Sequence, residues 1–450
     1  MKLSSNFVIF DFFLISVLST SVVSFSVTKY EYVQTEQIHL SYTGDPSSMF
    51  VTWTTSVYVG EGSVSYTAVN SNDTSTHVVN ATMTSMRHYS DDDNTTFRTT
   101  YTFRATMTDL IPDTFYEYSV QNILITSDQF QFRTFPPQNS SDFKPTIAVF
   151  GDMGVENHVA LDKLKQDGQK RVYDIIWHLG DIAYNMHELM GARGDAFMRL
   201  IQPIAAHYPY SVIPGNHERT NNFSEYRNKF TSPPPSVFYH SYNIGPIHLI
   251  MFTTEFYIYD EYGTGQLQAQ YNWLVEDLEK ANTPEARQNQ PWIITTGHRP
   301  MYCSAKDNED CDADNPIRTG YKNEYYKLED LFYQNGVDIQ LYGHKHNYER
   351  MYPMYNYDWE RVQNSSLYLD PKYPVHVITG AAGNREIHPQ LKYPEPEWSF
   401  MRKSEYGLAY LKVLDRLTLE ISQYSIDAGK NIDQFIVKKS QNYPNFGPAV

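Results

Sequence analysis

Two imidazoles stand one residue apart in "LYGHKHNYER", His344 and His346, at the exit of the apolar run "GVDIQLY". In an extended segment residues two apart face the same side, about 6.5 Å apart along the chain, so both rings can lean into one cavity. That separation suits two neighbouring metal ions, although an isolated pair would serve equally well as hydrogen-bonded surface histidines. Four other apolar runs end in the same manner. "VFGDMG" gives Asp152, "LGDIAY" gives Asp181 and Tyr184, "IPGNHE" gives Asn216 and His217, and "TTGHRP" gives His298. A single Gly-Asp after a strand is most often a turn or a helix cap. Five such ends in order are more than turns require, and carboxylate, amide and imidazole together suit a two-metal site for hard to borderline ions.

Those ends need a scaffold. Beyond residue 143, strands alternate with helical text: "PTIAVFGD", the helical "NHVALDKLKQDG", "VYDIIWHLGD", "YPYSVIPGN", "IHLIMFT", the amphipathic "AQYNWLVEDLEKA", "PWIITTGH", a helix over "NEYYKLEDLFYQNG" closed by Gly336, and "VDIQLYGH". Continuous apolar strands flanked by helices predict a sheet covered on both faces. In such folds reactive groups sit beyond the strand ends, where these residues fall. From about residue 30 to residue 135 the pattern differs. Short alternating segments such as "MFVTWTT", "TYTFRATM" and "DQFQFRTF" predict an antiparallel sandwich with no titratable cluster, a structural unit or a binding face. The Pro- and Ser-rich "FPPQNSSDFKP" links the two regions. A chain of 450 residues is expected to form two domains, each with its own core.

The first residues, with Lys2 before an apolar run and then small residues near Ser24 and Ser26, predict a secretory signal, and Asp11 within the run disfavours an uncleaved anchor. Sequons at Asn72, Asn80, Asn94, Asn139, Asn222 and Asn364 agree with that route. Cys303 and Cys311 are the only cysteines, and in an oxidising compartment they are expected to pair around "CSAKDNEDC". Free thiols are the alternative, because spacing alone does not fix bonding geometry. No later apolar run is long enough to span a bilayer, so no membrane contact is expected after processing. The net charge of -16 argues against nucleic acid, whose binders cluster Lys and Arg against phosphates.

In order, GDMG, GDIAY, GNHE, GHRP and GHKH resemble the metallophosphoesterase motif set, and Tyr184 three residues after Asp181 makes the chain resemble a purple acid phosphatase. "LIPDTFYEYSV", with Leu110, Pro112 and Tyr116, resembles the tyrosine corner of fibronectin type III domains. The likeness to the long animal and plant forms runs down to "YPVHVITGAAGN" and "EYGLAYLKV". It implies a signal peptide over 1–26 and an N-terminal all-β, fibronectin III-like sandwich over 27–137. An α/β metallophosphoesterase domain, β-sheets flanked by helices, would follow over 143–450, with a C-terminal family segment at about 372–437.

Carried over by residue, the resemblance implies that Asp152, Tyr184 and His346 hold Fe(III), that Asp181 bridges, and that Asn216, His298 and His344 hold a divalent iron, zinc or manganese ion. Two cations about 3.5 Å apart would hold phosphate oxygens and lower the pKa of a bound water, giving hydroxide for in-line attack. The leaving oxygen needs a proton, and His217 is the expected acid, with packing beneath the site as its structural alternative. Glu218 and Arg299 are expected to brace their ligand neighbours, and His178 to lie behind the site as a brace or a core residue. The expected activity is that of a secreted or lysosomal acid phosphatase on phosphomonoesters or phosphoproteins. A phosphodiesterase or a Mn/Zn phosphoesterase on the same scaffold is the rival, against which Tyr184 counts because phenolate suits ferric iron. A binding protein with a relic site should have lost some ligands. Plant members carry a histidine pair after the GHRP-like segment, where this chain has "MYCSAKDNEDCDAD". The acid role therefore falls to His217 alone. Asp307, Glu309, Asp310, Asp312 and Asp314 are expected to overhang the cleft and repel highly phosphorylated substrates such as phytate.

Overall fold

The computed structural model describes residues 34–71, 75–90, 95–138, 140, 142–306, 309–362 and 366–440. The expected signal peptide, Asp307 and the sequon residues Asn72, Asn94, Asn139 and Asn364 lie outside them.

Residues 36–133 form two four-stranded antiparallel sheets. One is ordered Glu36–Tyr42, Met49–Thr55, Phe97–Met107, Thr82–Tyr89; the other is Thr76–Asn80, Gly62–Val69, Phe115–Asn122, Phe130–Arg133. The alternation seen in the sequence becomes burial. In "FYEYSVQN", Tyr116, Tyr118 and Val120 point inward, and across the sandwich Trp53 stacks on Phe103 with centroids 5.4 Å apart. Tyr116 turns its hydroxyl back to accept the Ile111 N–H at 2.8 Å, fixing the corner after buried Leu110.

The larger part is built on two seven-stranded sheets. In the first, Thr146–Phe150, Ile175–Leu179 and Tyr210–Ile213 run parallel, and Gly407–Asp415 joins antiparallel to Thr146–Phe150. In the second, Ile247–Phe252, Trp292–Gly297, Ile339–Tyr342 and Val375–Thr379 form the parallel centre. Alternate side chains settle how the sheets are covered. Ile147, Val149, Trp177 and Leu411 share one apolar cluster with Leu249, Met251, Ile294, Leu341 and Val377 of the other sheet. Their neighbours Ala148, Phe150, Ile176, Ile250, Phe252 and Ile378 pack instead with helix residues such as Leu164, Phe197, Leu274 and Leu278. The sequence predicted sheets covered on both faces and flanked by helices, without saying what covers each face. The structure has two sheets stacked on each other, with helices outside. A strand buried by a helix and one buried by a second sheet are equally apolar, so the run of buried residues in "WIITTG" does not distinguish them. Truncating one of these core Ile or Leu side chains to Ala would cost about 2–5 kcal/mol.

The two regions were expected to have separate cores. Instead Ile38, Trp53, Phe103 and Val120 of the sandwich belong to the same cluster as Ile147 and Trp292. Tyr42 forms the seam, edge-on to Phe135 at 4.8 Å and to Tyr242 at 5.3 Å, and the Tyr118 hydroxyl donates to Ala206 O at 2.7 Å. Polar pairs cross the same boundary: Arg98 of the sandwich meets Asp195, which Lys229 also holds, at 2.5 Å, and His88 of the sandwich meets Glu225 at 2.5 Å.

Two local expectations change. The helix expected over 323–336 spans only Leu328–Gln334. Lys322, Asn323 and Tyr326 take positive φ, and Tyr326 O accepts the Tyr257 hydroxyl at 2.8 Å, so a tertiary contact holds the preceding turn; Gly336, at φ 63°, does close the helix. Asn80 is exposed, as a glycan site requires, whereas Asn222 is half-buried with its side-chain oxygen enclosed, a poor seat for a glycan. No helix among the described residues is long and apolar enough to cross a membrane. Cys303 and Cys311 are joined in a disulfide.

Candidate metal centre

Each candidate ligand sits where a strand gives way to a loop. Asp152 follows Thr146–Phe150, Asp181 and Tyr184 follow Ile175–Leu179, and Asn216 follows Tyr210–Ile213. His298 follows Trp292–Gly297, and His344 and His346 follow Ile339–Tyr342. Asp152, Asp181, Tyr184 and His344 all have φ between 52° and 65°, the left-handed region that turns a chain sharply and aims the side chain back over the strand ends. The glycines in the motifs have a spatial reason. At Gly180, with φ 86°, a Cβ would lie 2.6 Å from His298 Nδ1, and at Gly215 it would lie 2.3 Å from Asp181 Oδ1. Any side chain there would occupy the centre itself.

The seven residues converge as the spacing predicted. Asp152, Asp181 and His346 form one group and Asp181, His298 and His344 another, with the ligand atoms of each group within 4.8 Å of one another. Tyr184 adds its hydroxyl to the first, 2.8 Å from His346 Nε2 and 3.4 Å from Asp152 Oδ2. Asn216 adds its Oδ1 to the second, 3.1 Å from His298 Nε2. Asp181 belongs to both.

Protons and lone pairs show what the second group can hold. His298 Nδ1 donates to Leu179 O at 2.7 Å, which leaves Nε2 as a lone pair facing Asn216 Oδ1, Asp181 Oδ2 at 3.2 Å and His344 Nδ1 at 3.2 Å. Four acceptors facing one another repel unless a metal cation lies among them or one of them takes a proton. The same field acts on protons. Burial opposes charge on His298, but Asp181 and Asp152 outweigh it and push its pKa up to about 10. Burial, with Asp152 and Asp181 beside it, holds the Tyr184 hydroxyl well above its ordinary value, so a phenolate forms there only against a bound cation. Donor types, spacing and charge therefore fit two metal ions.

His217 lies against the centre rather than in it. Its ring packs on Tyr184 at 4.5 Å, its Nδ1 meets Asn185 Oδ1 at 2.8 Å, and its Nε2 lies 3.4 Å from Glu386 and 3.8 Å from Asp181. Burial lowers its basicity, yet Asp181 and Glu386 prevail and raise the pKa to about 9. Glu218 accepts the backbone N–H of Ile182 and of Gly215 at 2.9 and 2.8 Å, bracing two ligand loops at once. Arg299 pairs with Glu255 and Asp310 and reaches within 3.0 Å of His344 Nε2. His178 braces none of the ligands. It points to the helix side of its strand, bonded to the Tyr210 hydroxyl at 2.8 Å and packed on Phe150 and Phe197, with burial lowering its pKa to about 3.

The acidic loop divides. Asp310 turns inward to His344 Nε2 at 2.8 Å, with Arg299 and Lys345 at 2.9 and 3.1 Å, so its charge is matched at the site. Asp312 and Asp314 are exposed. Sequence reasoning missed Asn185 and Glu386. Asn185 directly follows Tyr184, and Glu386 follows "GAAGN" beyond the end of Val375–Thr379, so the strand-end rule that found the ligands also covers these two.

Comparison with known proteins agrees with this geometry. Three family models match in series: the purple acid phosphatase N-terminal domain over residues 35–134, the calcineurin-like phosphoesterases over 145–348, and the iron/zinc purple acid phosphatase-like C-terminal segment over 373–434. The chain belongs to the purple acid phosphatase family and is an enzyme of the acid phosphatase class. It is 40% identical over 416 residues to acid phosphatase type 7 of Homo sapiens, covering 92% of each chain. It is 29% identical over 394 residues to purple acid phosphatase 18 of Arabidopsis thaliana, covering 84% of this chain and 78% of that one. A purple acid phosphatase from yellow lupin (Lupinus luteus) seeds shares the fold, with a TM-score of 0.75 at 23% identity over 91% of this chain and 75% of that one.

Proposed function

We propose that the chain hydrolyses phosphate monoesters at a binuclear centre in which Asp152, Tyr184 and His346 hold Fe(III), and Asn216, His298 and His344 hold a divalent iron, zinc or manganese ion. The sharing of Asp181 between the two ligand groups carries this reading. When bound, the ions would supply Lewis acidity toward the phosphate and an activated water for in-line attack. The chain's own residues do the rest. Asn185 accepts the His217 Nδ1 proton, which fixes the ring so that Nε2 faces the cleft. Asp181 and Glu386 favour a proton on that nitrogen, and His217 delivers it to the departing oxygen as general acid. Glu218 holds the backbone before Asn216 and after Asp181, so the shared carboxylate keeps its aim.

The organisation we propose is a signal peptide over 1–26, a fibronectin III-like sandwich over 27–137 and the metallophosphoesterase domain over 143–450. The Tyr116 corner supports the fibronectin III-like sandwich, and the disulfide supports an oxidising, secretory compartment. Purified protein should hold two metal ions, show a visible absorption band and cleave p-nitrophenyl phosphate at acid pH. Two ions without a visible band, together with a preference for diesters, would transfer the reading to a phosphodiesterase or a Mn/Zn enzyme. Fewer than two ions in active protein would sink it.

A further inference from the structure

His344 can ligate a metal through Nδ1 only if its proton sits on Nε2, and a buried N–H needs an acceptor. Nδ1 is the nitrogen that faces His298 Nε2, at 3.2 Å. On the far side of the ring, Nε2 meets Asp310 Oδ2 at 2.8 Å. Arg299 Nη1 lies 3.0 Å from the same nitrogen, but donates to Asp310 Oδ1 at 2.9 Å, so the carboxylate takes both groups at once. Lys345 completes the arrangement at 3.1 Å from Oδ2.

Asp310 does not come from a strand end. It lies in the short turn Glu309–Cys311, and the Cys303–Cys311 disulfide closes the loop immediately beside it, with Cα atoms 4.9 Å apart. Asn315 secures the same turn, its Nδ2 donating to Asp310 O at 2.5 Å and to Pro300 O at 2.9 Å. Pro300 is next to Arg299, so the loop is tied at the residue that shares the carboxylate.

We infer that Asp310 is a positioning residue for the metal held by His344, and that the disulfide keeps it in place. The carboxylate fixes the tautomer and the ring direction of His344, and leaves the Asp152–Tyr184–His346 group untouched. This rests on the two-metal reading above.

The test uses the full chain stripped of metal and titrated with Zn2+ against a chromophoric chelator, with binding at the two positions resolved. Asp310→Ala should weaken one of them by about 10–100-fold and leave the other unchanged. Asp310→Asn, which keeps an acceptor but not the charge, should fall between. Replacing Cys303 and Cys311 together by Ser should weaken the same position. The metal-free Asp310→Ala protein should melt at the wild-type temperature, which separates positioning of a ligand from support of the fold. Equal Zn2+ affinity in wild type and Asp310→Ala overturns the inference, as does equal weakening at both positions with a lowered metal-free melting temperature. Wild-type protein that binds only one Zn2+ overturns the two-metal reading, and the inference with it.

Discussion

The two halves of the centre share Asp181 and the loop of His344 and His346, whose His344 N–H also donates to Asp152 at 2.8 Å, yet they are built differently. Around Asp152, Tyr184 and His346, every donor comes from a strand end, and two carboxylates and a phenol surround the space. Around Asn216, His298 and His344 the donors are an amide and two imidazoles beside the shared carboxylate, and His344 leans on a loop rather than on a strand. The first half is built by strand ends alone and carries the greater density of acidic donors. The second is finished by the disulfide-closed loop that carries Asp310.

Asp181→Asn should erase the contrast. Both halves lose their common donor, so metal content should fall below one ion per chain and kcat/KM by about 10^3-fold or more. A variant that still carries two ions would show that the carboxylate is not shared. His217→Ala should lower kcat by about 10^2–10^4-fold for alkyl phosphates and far less for p-nitrophenyl phosphate, whose leaving group needs little help. Equal losses on both esters would remove the acid role. Tyr184→Phe should abolish the visible band and loosen only the ion beside Asp152, read as selective loss of one metal on dialysis; an unaltered band would show that Tyr184 is not its source.

The sandwich offers a gentler test. Burial alone would raise the Asp195 pKa, but Lys229 and Arg98 outweigh it and hold it well below the ordinary carboxylate range; His88 and Glu225 pack alongside. A carboxylate with a depressed folded pKa stabilises fully above its unfolded value of about 3.9 and loses that contribution as pH falls toward the folded one. Asp195→Asn should therefore melt below wild type at about pH 6, and the gap should narrow as pH drops below about 4. A gap that widens in acid would contradict this sign. Least affected should be substrate choice in Asp312→Asn/Asp314→Asn. Both side chains are exposed, and the inward Asp310 is already matched by Arg299 and Lys345, so the ratio of kcat/KM for phytate to that for a simple monoester should move by less than about threefold.

The ligands were legible because each obeys one local rule, a strand running out into a glycine and then a donor, and that rule needs no knowledge of which strands are neighbours. What the sequence hid is what depends on partners. Ile294 and Ile293 are adjacent and equally apolar, yet one faces a second sheet and the other faces helices. His178 carries a ligand-type ring in the middle of a strand, one position from the residue that ends it, and the pleat sends it into the core. In the sequence Asp310 is only one of five acids expected to overhang the cleft, and the closing of the loop onto His344 distinguishes it from the exposed Asp312 and Asp314. Glu386 lies far along the chain, at the end of a strand quoted for its family likeness but not for its chemistry.

The order in which the chain is made has to wait for its end. Thr146–Phe150, which carries Asp152, is an inner strand of its sheet, flanked by Ile175–Leu179 on one side and by Gly407–Asp415 on the other. Until residues 407–415 have been synthesised, one edge of that strand has no partner. Pairing across so long a separation is slow and leaves unpaired strand edges exposed in the meantime. A metal centre that leans on Asp152 is therefore expected to be complete only once residues 407–415 have paired. A truncation that removes Gly407–Asp415 and the strands beyond it, none of which supplies a ligand, should yield protein that holds no metal at all.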